Sequence, residues 1–251
     1  MSYLLIDNGN SRLKWAMATI TGELLQVHIV SPDSKIEANW DECEVPERIL
    51  ISSVGSEQHK QKLNDIFEKK WQMVPEFITS PSKGLGLTNT YKEPERLGSD
   101  RWAAMVAVYH AVQSAALVVD AGTALTIDAI DGQGRHLGGL IHPGLVLSRK
   151  ALLSGTNMKL ETINTDVSGP ELFGKSTEQG IASGTHYALS SLIDRAYSQL
   201  SKRLMAAGSS EKPACYLTGG DAEQIKDTLQ CPYVFEPLLV LKGLALIATA
   251  A

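Results

Sequence analysis

Near its N-terminus the chain reads Leu4-Leu5-Ile6-Asp7-Asn8-Gly9-Asn10-Ser11. An apolar run ends in an acidic residue, turns through Asn-Gly, and is followed by the alternating residues Leu13, Trp15 and Met17. This pattern predicts two strands joined by a tight turn. Such a turn would suit a phosphate with its metal ion, because backbone amides bind phosphate oxygens and the Asp7 carboxylate can hold Mg²⁺. An ordinary hairpin with a solvated aspartate would give the same pattern.

The same arrangement recurs in Leu117-Val118-Val119-Asp120-Ala121-Gly122-Thr123-Ala124-Leu125-Thr126-Ile127, with Asp120 placed 113 residues after Asp7. The next turns also correspond, since Thr21-Gly22 in the first copy matches Gly132-Gln133-Gly134 in the second. A chance hairpin would not recur together with its partner turn. We therefore expect two related lobes that each open with a β-meander, and a cleft between them suited to Mg²⁺·ATP.

Composition narrows the classes of protein that fit. The chain has 251 residues, 43% of them hydrophobic and 20% charged, which indicates a globular protein of two lobes or one large domain. Its net charge of −5 argues against a non-specific nucleic-acid binder. No apolar run could span a membrane, and Asp7 comes too early for a signal peptide, so we expect a cytoplasmic protein. Cys43, Cys215 and Cys231 lack metal-ligand spacing, which predicts reduced structural thiols and no zinc site.

The remaining pattern alternates strands and helices on either side of an expected lobe boundary after residue 114. Strands are predicted at residues 24–30, 49–55 and 214–218. Helices are predicted at residues 58–71, 99–113, from about 145 to 153, and at 177–206. Polar loops are predicted at residues 31–46, the first with a short helix, and at 154–174. A C-terminal helix within residues 236–251 is expected to pack in the second lobe, 115–251.

A Gly-, Pro- and Ser-rich loop at residues 79–96 contains Asn89-Thr90-Tyr91 and leads into Leu97-Gly98-Ser99-Asp100-Arg101. Long loops within compact domains are often functional. Ser99 is predicted as a helix N-cap, which puts Asp100 and Arg101 in the first turn, where the helix dipole favours an ionised aspartate. An ordinary first-turn aspartate beside a solvated arginine would also explain the pattern.

Two glycine-rich segments follow predicted strands in the second half. The first runs from Gly138-Gly139 to Pro143-Gly144, and such density often marks a tight backbone path beside a ligand. The second is Gly219-Gly220-Asp221, where two glycines would let a ring or a phosphate approach, with Asp221 as the cap of the next helix. Helix capping alone is the alternative interpretation of Asp221.

The segment Gly169-Pro170-Glu171-Leu172-Phe173-Gly174-Lys175-Ser176 satisfies the Walker A pattern. We interpret the match as accidental, because residues 160–168 are polar and do not form a buried strand before it. The bulky residues 170–173 also stand where a phosphate-binding loop needs small ones.

Together these motifs resemble the type III pantothenate kinases of the acetate-kinase, sugar-kinase, Hsp70 and actin superfamily. The resemblance covers essentially the whole chain, and the block from Tyr91 to Arg101 is its most particular part. It implies an α/β protein with two related lobes of the ribonuclease H-like/actin-like ATPase fold, each a mixed sheet that opens with a β-meander and is flanked by helices. Residues 1–114 would form the N-terminal lobe and 115–251 the C-terminal lobe.

The resemblance also implies roles for individual positions. ATP would be bound by Asp7, Asn8, Gly9, Asn10, Ser11, Arg12, Leu13 and Lys14, and by Thr123. Pantothenate would be bound by Tyr91, Gly98, Ser99, Asp100, Arg101 and Thr177, with Asp100 as proton acceptor. Mg²⁺ would lie near Asp7 through the phosphates, and K⁺ or NH₄⁺ at Asp120.

The implied activity is ATP-dependent phosphorylation of pantothenate to 4'-phosphopantothenate, the first step of coenzyme A biosynthesis. The family is dimeric, so a homodimer with its substrate site at the subunit interface is expected, with no nucleic-acid or membrane partner. Two alternatives stay open: a non-catalytic nucleotide-binding regulator of the same fold, and a kinase for another small alcohol.

Overall fold

The computed structural model describes residues 1–30, 40–41, 43–53, 55–156 and 171–250. The chain forms two compact units, residues 1–111 with 238–251, and residues 112–237. The predicted loop and short helix at residues 31–46 lie largely outside the described residues, as does most of the predicted polar loop at 154–174. Among the described helices, none is both long and apolar enough to cross a membrane.

The elements follow one another in an order that is nearly the same in both units. They are β1 (Ser2–Asn8), β2 (Leu13–Thr19), β3 (Leu24–Val30), β4 (Arg48–Ser53), α1 (Glu57–Trp71), β5 (Glu76–Phe77), β6 (Lys83–Gly84), β7 (Leu87–Thr88), α2 (Ser99–Val112), β8 (Ala116–Ala121), β9 (Ala124–Ile130), β10 (His136–Pro143), α3 (Leu145–Gly155), α4 (Thr177–Ala206), β11 (Ala214–Thr218), α5 (Ala222–Ile225), β12 (Val234–Phe235) and α6 (Leu239–Thr249).

The first unit is built on a mixed five-stranded sheet in the order β3-β2-β1-β4-β5. Strands β1, β2 and β3 form the predicted antiparallel meander, whereas β4 runs parallel to β1. Helix α1 buries Leu63, Ile66 and Phe67 in the same core cluster as Ile6 and Ile51 of the sheet. The parallel pairing brings the carboxyl ends of β1 and β4 to one edge, where the candidate site lies.

The second unit repeats this sheet in the order β10-β9-β8-β11-β12. Strands β8, β9 and β10 form the second antiparallel meander, and β11 runs parallel to β8. Helix α4 contributes Leu189 and Ile193 to the core cluster that covers this sheet. The predicted fold, two related α/β lobes whose mixed sheets each open with a β-meander, is therefore confirmed.

The prediction for the C-terminal helix was wrong. Helix α6 belongs to the first unit, where it packs on β1, β2 and β4. Gly243 makes this packing possible, because a Cβ at that position would run into the backbone of Ala103 in α2. The first unit therefore takes residues from both ends of the chain, and the second ends at Pro237 and not at Ala251.

The predicted loop at residues 79–96 contains more structure than expected. Strands β6 and β7 form a short hairpin, and residues Pro94–Arg96 form a 3₁₀ turn. Asn89 anchors the segment, since its amide group donates to the Pro94 carbonyl at 3.0 Å and accepts from the Tyr91 N–H at 3.0 Å. These bonds fix Tyr91 relative to the start of α2.

Candidate active site

The phosphate turn predicted at Asp7 lies at the carboxyl end of β1. Lys14 stands directly opposite Asp7 in the β1–β2 ladder, so the two side chains share one face of the sheet. On the other side Ser52 of β4 is the register neighbour of Asp7. The turn residues between the strands, Gly9, Asn10, Ser11 and Arg12, are exposed, whereas Leu13 is buried.

Asn8 fixes the opposite face of the same turn. It is 7% exposed, and its amide nitrogen donates to the Ser53 hydroxyl at 3.0 Å. Ser53 in turn accepts the backbone N–H of Gly55 at 3.2 Å. The small residues at the end of β4, noted in the sequence only as permitting close approach, thus hold the turn in place.

Helix α2 begins beside this turn. The hydroxyl groups of Ser52 and Ser99 lie 3.0 Å apart, and both side chains are buried. The Gly98 carbonyl accepts the first helical hydrogen bond, from Trp102 at 3.0 Å, so the N-cap is Gly98. The prediction of Ser99 as N-cap was therefore wrong by one residue, because its hydroxyl bonds to Ser52 instead.

Asp100 occupies the first turn of α2, as predicted. Its Oδ1 accepts the backbone N–H of Arg101 at 2.8 Å, which orients the carboxylate. A Cβ on Gly98 would collide with the same oxygen, so only glycine leaves room for this orientation. The half-buried carboxylate stands at the positive end of the helix dipole, which favours its ionised form.

Arg101 and Tyr91 form a pair next to Asp100. The Arg101 side chain is 7% exposed, and its Nη1 donates to the Tyr91 hydroxyl at 3.1 Å. The guanidinium carbon also lies 5.8 Å from the centre of the Tyr91 ring, within the range of a cation–π contact. The structure thus brings Tyr91, Gly98, Ser99, Asp100 and Arg101 together in the first unit.

In the second unit, Asp120 lies at the carboxyl end of β8 within a cradle of glycines. A Cβ on Gly219 would collide with the backbone of Ala121 and with Asp120 Oδ1. Gly219 has φ of +101°, a conformation that L side chains rarely adopt. On the other side Gly144 donates to the Thr123 carbonyl at 2.9 Å, and a Cβ there would meet the backbone of Gly122.

Asp221 follows the glycine pair, but its side chain does not cap helix α5. Its Oδ2 accepts the backbone N–H of Leu145, the first residue of α3, at 3.1 Å. The Asp221 N–H donates to the Ala121 carbonyl at 2.8 Å. The prediction of a local cap was wrong because the carboxylate satisfies the N-terminus of a different helix.

The remaining predicted contacts lie elsewhere in the second unit. Thr123 is exposed in the turn after β8, and Thr177 is the exposed first residue of α4. Ser176 caps α4 by accepting the Gln179 N–H at 3.2 Å, and the Gln179 side chain accepts the Lys175 N–H at 2.7 Å. The end of the Walker-like segment is therefore a helix cap; residues 169 and 170 and the preceding polar stretch at 160–168 lie outside the described residues.

Across the described ranges, no group of three or more His, Cys, Asp and Glu side chains comes together as a metal site. A cation at Asp7 or Asp120 would therefore take most of its ligands from ATP, water or backbone oxygens. Mg²⁺ fits Asp7 on these terms, because it commonly keeps several waters and binds through one or two carboxylates and substrate phosphates.

Two related sheets, each with an aspartate at the end of its first strand, define a protein of the actin-like ATPase class. Solved structures share this fold. One, from Campylobacter jejuni and assigned to the Baf family of transcriptional activators, has a TM-score of 0.58, 22% identity and 98% coverage of both chains. Another, the activator of 2-hydroxyisocaproyl-CoA dehydratase from Clostridium difficile with bound ADPNP, has a TM-score of 0.52 and 13% identity, and covers 100% of this chain and 95% of that one.

Sequence comparison narrows the class to a family. Residues 3–199 match the family described as Type III pantothenate kinase. A type III pantothenate kinase from Nitrosospira multiformis is 35% identical over 246 residues, which cover 98% of this chain and 90% of that protein. The chain belongs to the type III pantothenate kinase family, and it is an enzyme of the kinase class.

Proposed function

We propose that this chain transfers the γ-phosphoryl group of ATP to the primary hydroxyl of pantothenate, the first step of coenzyme A biosynthesis, with Asp100 as proton acceptor. Membership of the family supports the reaction. The single observation that carries the assignment of the site is the cluster of Asp100, Arg101 and Tyr91, joined through Ser99 and Ser52 to the sheet edge that bears Asp7.

The phosphates of ATP would bind the turn of residues 7–14 in the first unit. Its exposed backbone can donate N–H groups, and Lys14 adds a positive charge beside Asp7. Mg²⁺, when bound near Asp7, would neutralise charge on the phosphate oxygens. Thr123 in the second unit is the proposed further contact to the nucleotide.

Asp100 would orient the attacking hydroxyl and accept its proton as the new P–O bond forms. Phosphoryl transfer depends mainly on positioning and on neutralising charge, so the carboxylate needs no raised pKa. Arg101 would hold the carboxylate of pantothenate, which suits the forked geometry of guanidinium. The hydroxyl of Tyr91 restrains this arginine at 3.1 Å, and we propose that it also contacts the substrate.

Asp120 is the proposed site of K⁺ or NH₄⁺. A single carboxylate among close backbone carbonyls, those of Ala121 and Gly122, supplies oxygen ligands and one negative charge, which matches a monovalent cation. That cation would add positive charge near the phosphates of a chain whose net charge is −5.

A homodimer in which Thr177 completes the substrate site of the other subunit is also proposed. Its support is a group of exposed apolar side chains on β10, on α3 and just before α4, larger than scattered surface residues would give. They are Leu140, Ile141, Val146, Leu147, Leu152, Leu172 and Phe173. Since ATP is the phosphoryl donor, we also propose that the enzyme works in the cytoplasm.

The test is ADP release with ATP, Mg²⁺ and K⁺, with and without pantothenate, for the wild type and Asp100→Asn. Asp65→Asn, an exposed position on α1, is the matched control. Turnover that depends on pantothenate and is lost only in Asp100→Asn, with nucleotide binding retained, supports the assignment. Equal loss of turnover and nucleotide binding would contradict it, and a panel of small alcohols tests whether another acceptor is preferred.

A further inference from the structure

Arg149 is a buried arginine one layer behind the Asp120 cradle. It lies on α3 with 2% of its surface exposed and is among the largest fully buried side chains of the described chain. A guanidinium removed from water needs compensating partners, or the fold is destabilised. Such a residue is retained when its partners depend on it.

The first partner is on helix α4. Arg149 Nε donates to the Thr185 hydroxyl oxygen at 3.2 Å, and Thr185 donates its own proton to the Ile181 carbonyl at 2.8 Å. Thr185 is 6% exposed, so water does not compete strongly for this bond. Arg149 therefore links α3 to the helix that carries Thr177 at its first residue.

The second partner is Asp221. Burial lowers the pKa of Arg149, whereas attraction to the Asp221 carboxylate raises it. Arginine nevertheless stays charged under ordinary conditions, so the attraction persists. The same carboxylate accepts the Leu145 N–H, and the Asp221 backbone is bonded to Ala121, the neighbour of Asp120.

We propose that Arg149 is a positioning residue that fixes the Gly219-Gly220-Asp221 turn and the start of α3 against the turn containing Asp120 and Thr123. Through the Gly144 hydrogen bond to the Thr123 carbonyl, the start of α3 is attached to the same turn. The inference rests on the proposed roles of Asp120 and Thr123. Loss of Arg149 would then weaken the use of ATP and of K⁺ while leaving the pantothenate cluster of the first unit intact.

The experiment compares Arg149→Met with Arg195→Met, which removes an exposed arginine from α4. For each variant we would measure kcat, the KM values for ATP and pantothenate, and the K⁺ concentration for half activation. In Arg149→Met the KM for ATP and the K⁺ requirement should rise about tenfold or more, as expected when a charged group loses its partner, while the KM for pantothenate changes less than about twofold. Arg195→Met should match the wild type.

Two further variants keep the proposal testable if Arg149→Met folds poorly. Arg149→Lys keeps the charge but loses the planar fork, and Thr185→Val removes the Nε acceptor; both should raise the KM for ATP by a smaller factor. Arg149→Met combined with Asp221→Asn should raise that KM no more than the larger single effect, because the two residues act through one contact. Additive effects, or a folded Arg149→Met with unchanged KM for ATP, would overturn the proposal.

A direct titration with a fluorescent ATP analogue separates this inference from the proposed function. If the wild type fails to phosphorylate pantothenate yet binds the analogue, and Arg149→Met binds it about tenfold more weakly, the positioning role stands and the acceptor assignment fails. If turnover is intact in the wild type and binding is equal in both proteins, the positioning role fails alone.

Discussion

The hydroxyl oxygens of Ser52 and Ser99 lie 3.0 Å apart in a part of the first unit closed to water, with 1% and 7% of these residues exposed. Ser52 is the register neighbour of Asp7 across the β1–β4 ladder. Ser99 precedes Asp100 in the first turn of α2. One buried hydrogen bond therefore sets the spacing between the proposed phosphate turn and the proposed proton acceptor.

Ser52→Ala should lower kcat by about five- to tenfold, because a buried hydrogen bond contributes about 1 kcal/mol and its loss leaves the Ser99 hydroxyl unsatisfied. The KM for ATP should change less, since the turn of residues 7–14 keeps its own contacts. Steady-state kinetics checks this, with Ser201→Ala on α4 as a control that removes a hydroxyl from the second unit. A kcat of Ser52→Ala equal to that of the control would refute the link.

Gly98→Ala should reduce kcat by about a hundredfold or more, because a displacement of a catalytic group by about 1 Å can cost that much. The added Cβ would collide with Asp100 Oδ1, so the carboxylate must turn away from its present position. Gly155→Ala is the matched control, since the space around that glycine is open. Both variants should keep the wild-type circular dichroism spectrum; near-normal turnover in Gly98→Ala would show that the observed orientation of Asp100 is not the active one.

The sequence was sufficient to predict elements whose periodicity or capping is strong. The bounds of β3 (Leu24–Val30) and α4 (Thr177–Ala206) agree with the prediction, because alternation marks the strand and Ser176 caps the helix. The recurrence of Asp7 and Asp120 in matching turns was sufficient to predict the repeated sheet. Asp100 was placed in the first turn of its helix for the same local reason.

Contacts between segments distant in the sequence could not be predicted. Strands β5 and β12 have two residues each, too few to show alternation. Helix α6 was assigned to the nearer lobe in sequence, although Gly243 lets it pack against α2 of the first unit. Arg149 looked like an ordinary helical arginine, because its partners Thr185 and Asp221 are 36 and 72 residues away.

Gly243→Ala should destabilise the first unit by about 1–3 kcal/mol, the usual cost of an overpacked contact. The new Cβ would run into the Ala103 backbone, where no flexible side chain can move aside. Gly184→Ala on α4 is the control, because nothing lies within 4 Å of its added Cβ and alanine favours a helix, so its stability should be unchanged or increased. Thermal unfolding measures both, and equal melting temperatures would contradict the packing of α6 on α2.

The stability of the protein should fall as the pH drops below 6.5, the ordinary pKa of histidine. Burial first, and then repulsion from Arg149, lower the pKa of His186, whose Nε2 lies 2.8 Å from the Thr228 hydroxyl. Because the unfolded chain takes up the proton at a higher pH than the folded one, stability is full above 6.5 and is lost as the pH falls through the lowered pKa, by at most about 1.4 kcal/mol per pH unit.

Melting curves between about pH 8 and pH 5.5 test this effect of His186. His186→Gln should flatten the pH dependence because it has no proton to gain. His110→Asn, which alters an exposed histidine at the end of α2, should retain the dependence of the wild type. An unchanged slope in His186→Gln would assign the effect to other groups.

Native protein should react with one equivalent of Ellman's reagent, at Cys43, although the chain has three cysteines. Cys215 and Cys231 are buried, and a hydrogen bond to Cys231, followed by burial, raises the pKa of Cys215, which keeps its thiol protonated and unreactive. Cys43 is only partly covered. In denaturant all three thiols should react, and Cys43→Ser should abolish the rapid native reaction. Rapid native reaction of a second thiol would show that the core of the second unit opens more readily than its burial indicates.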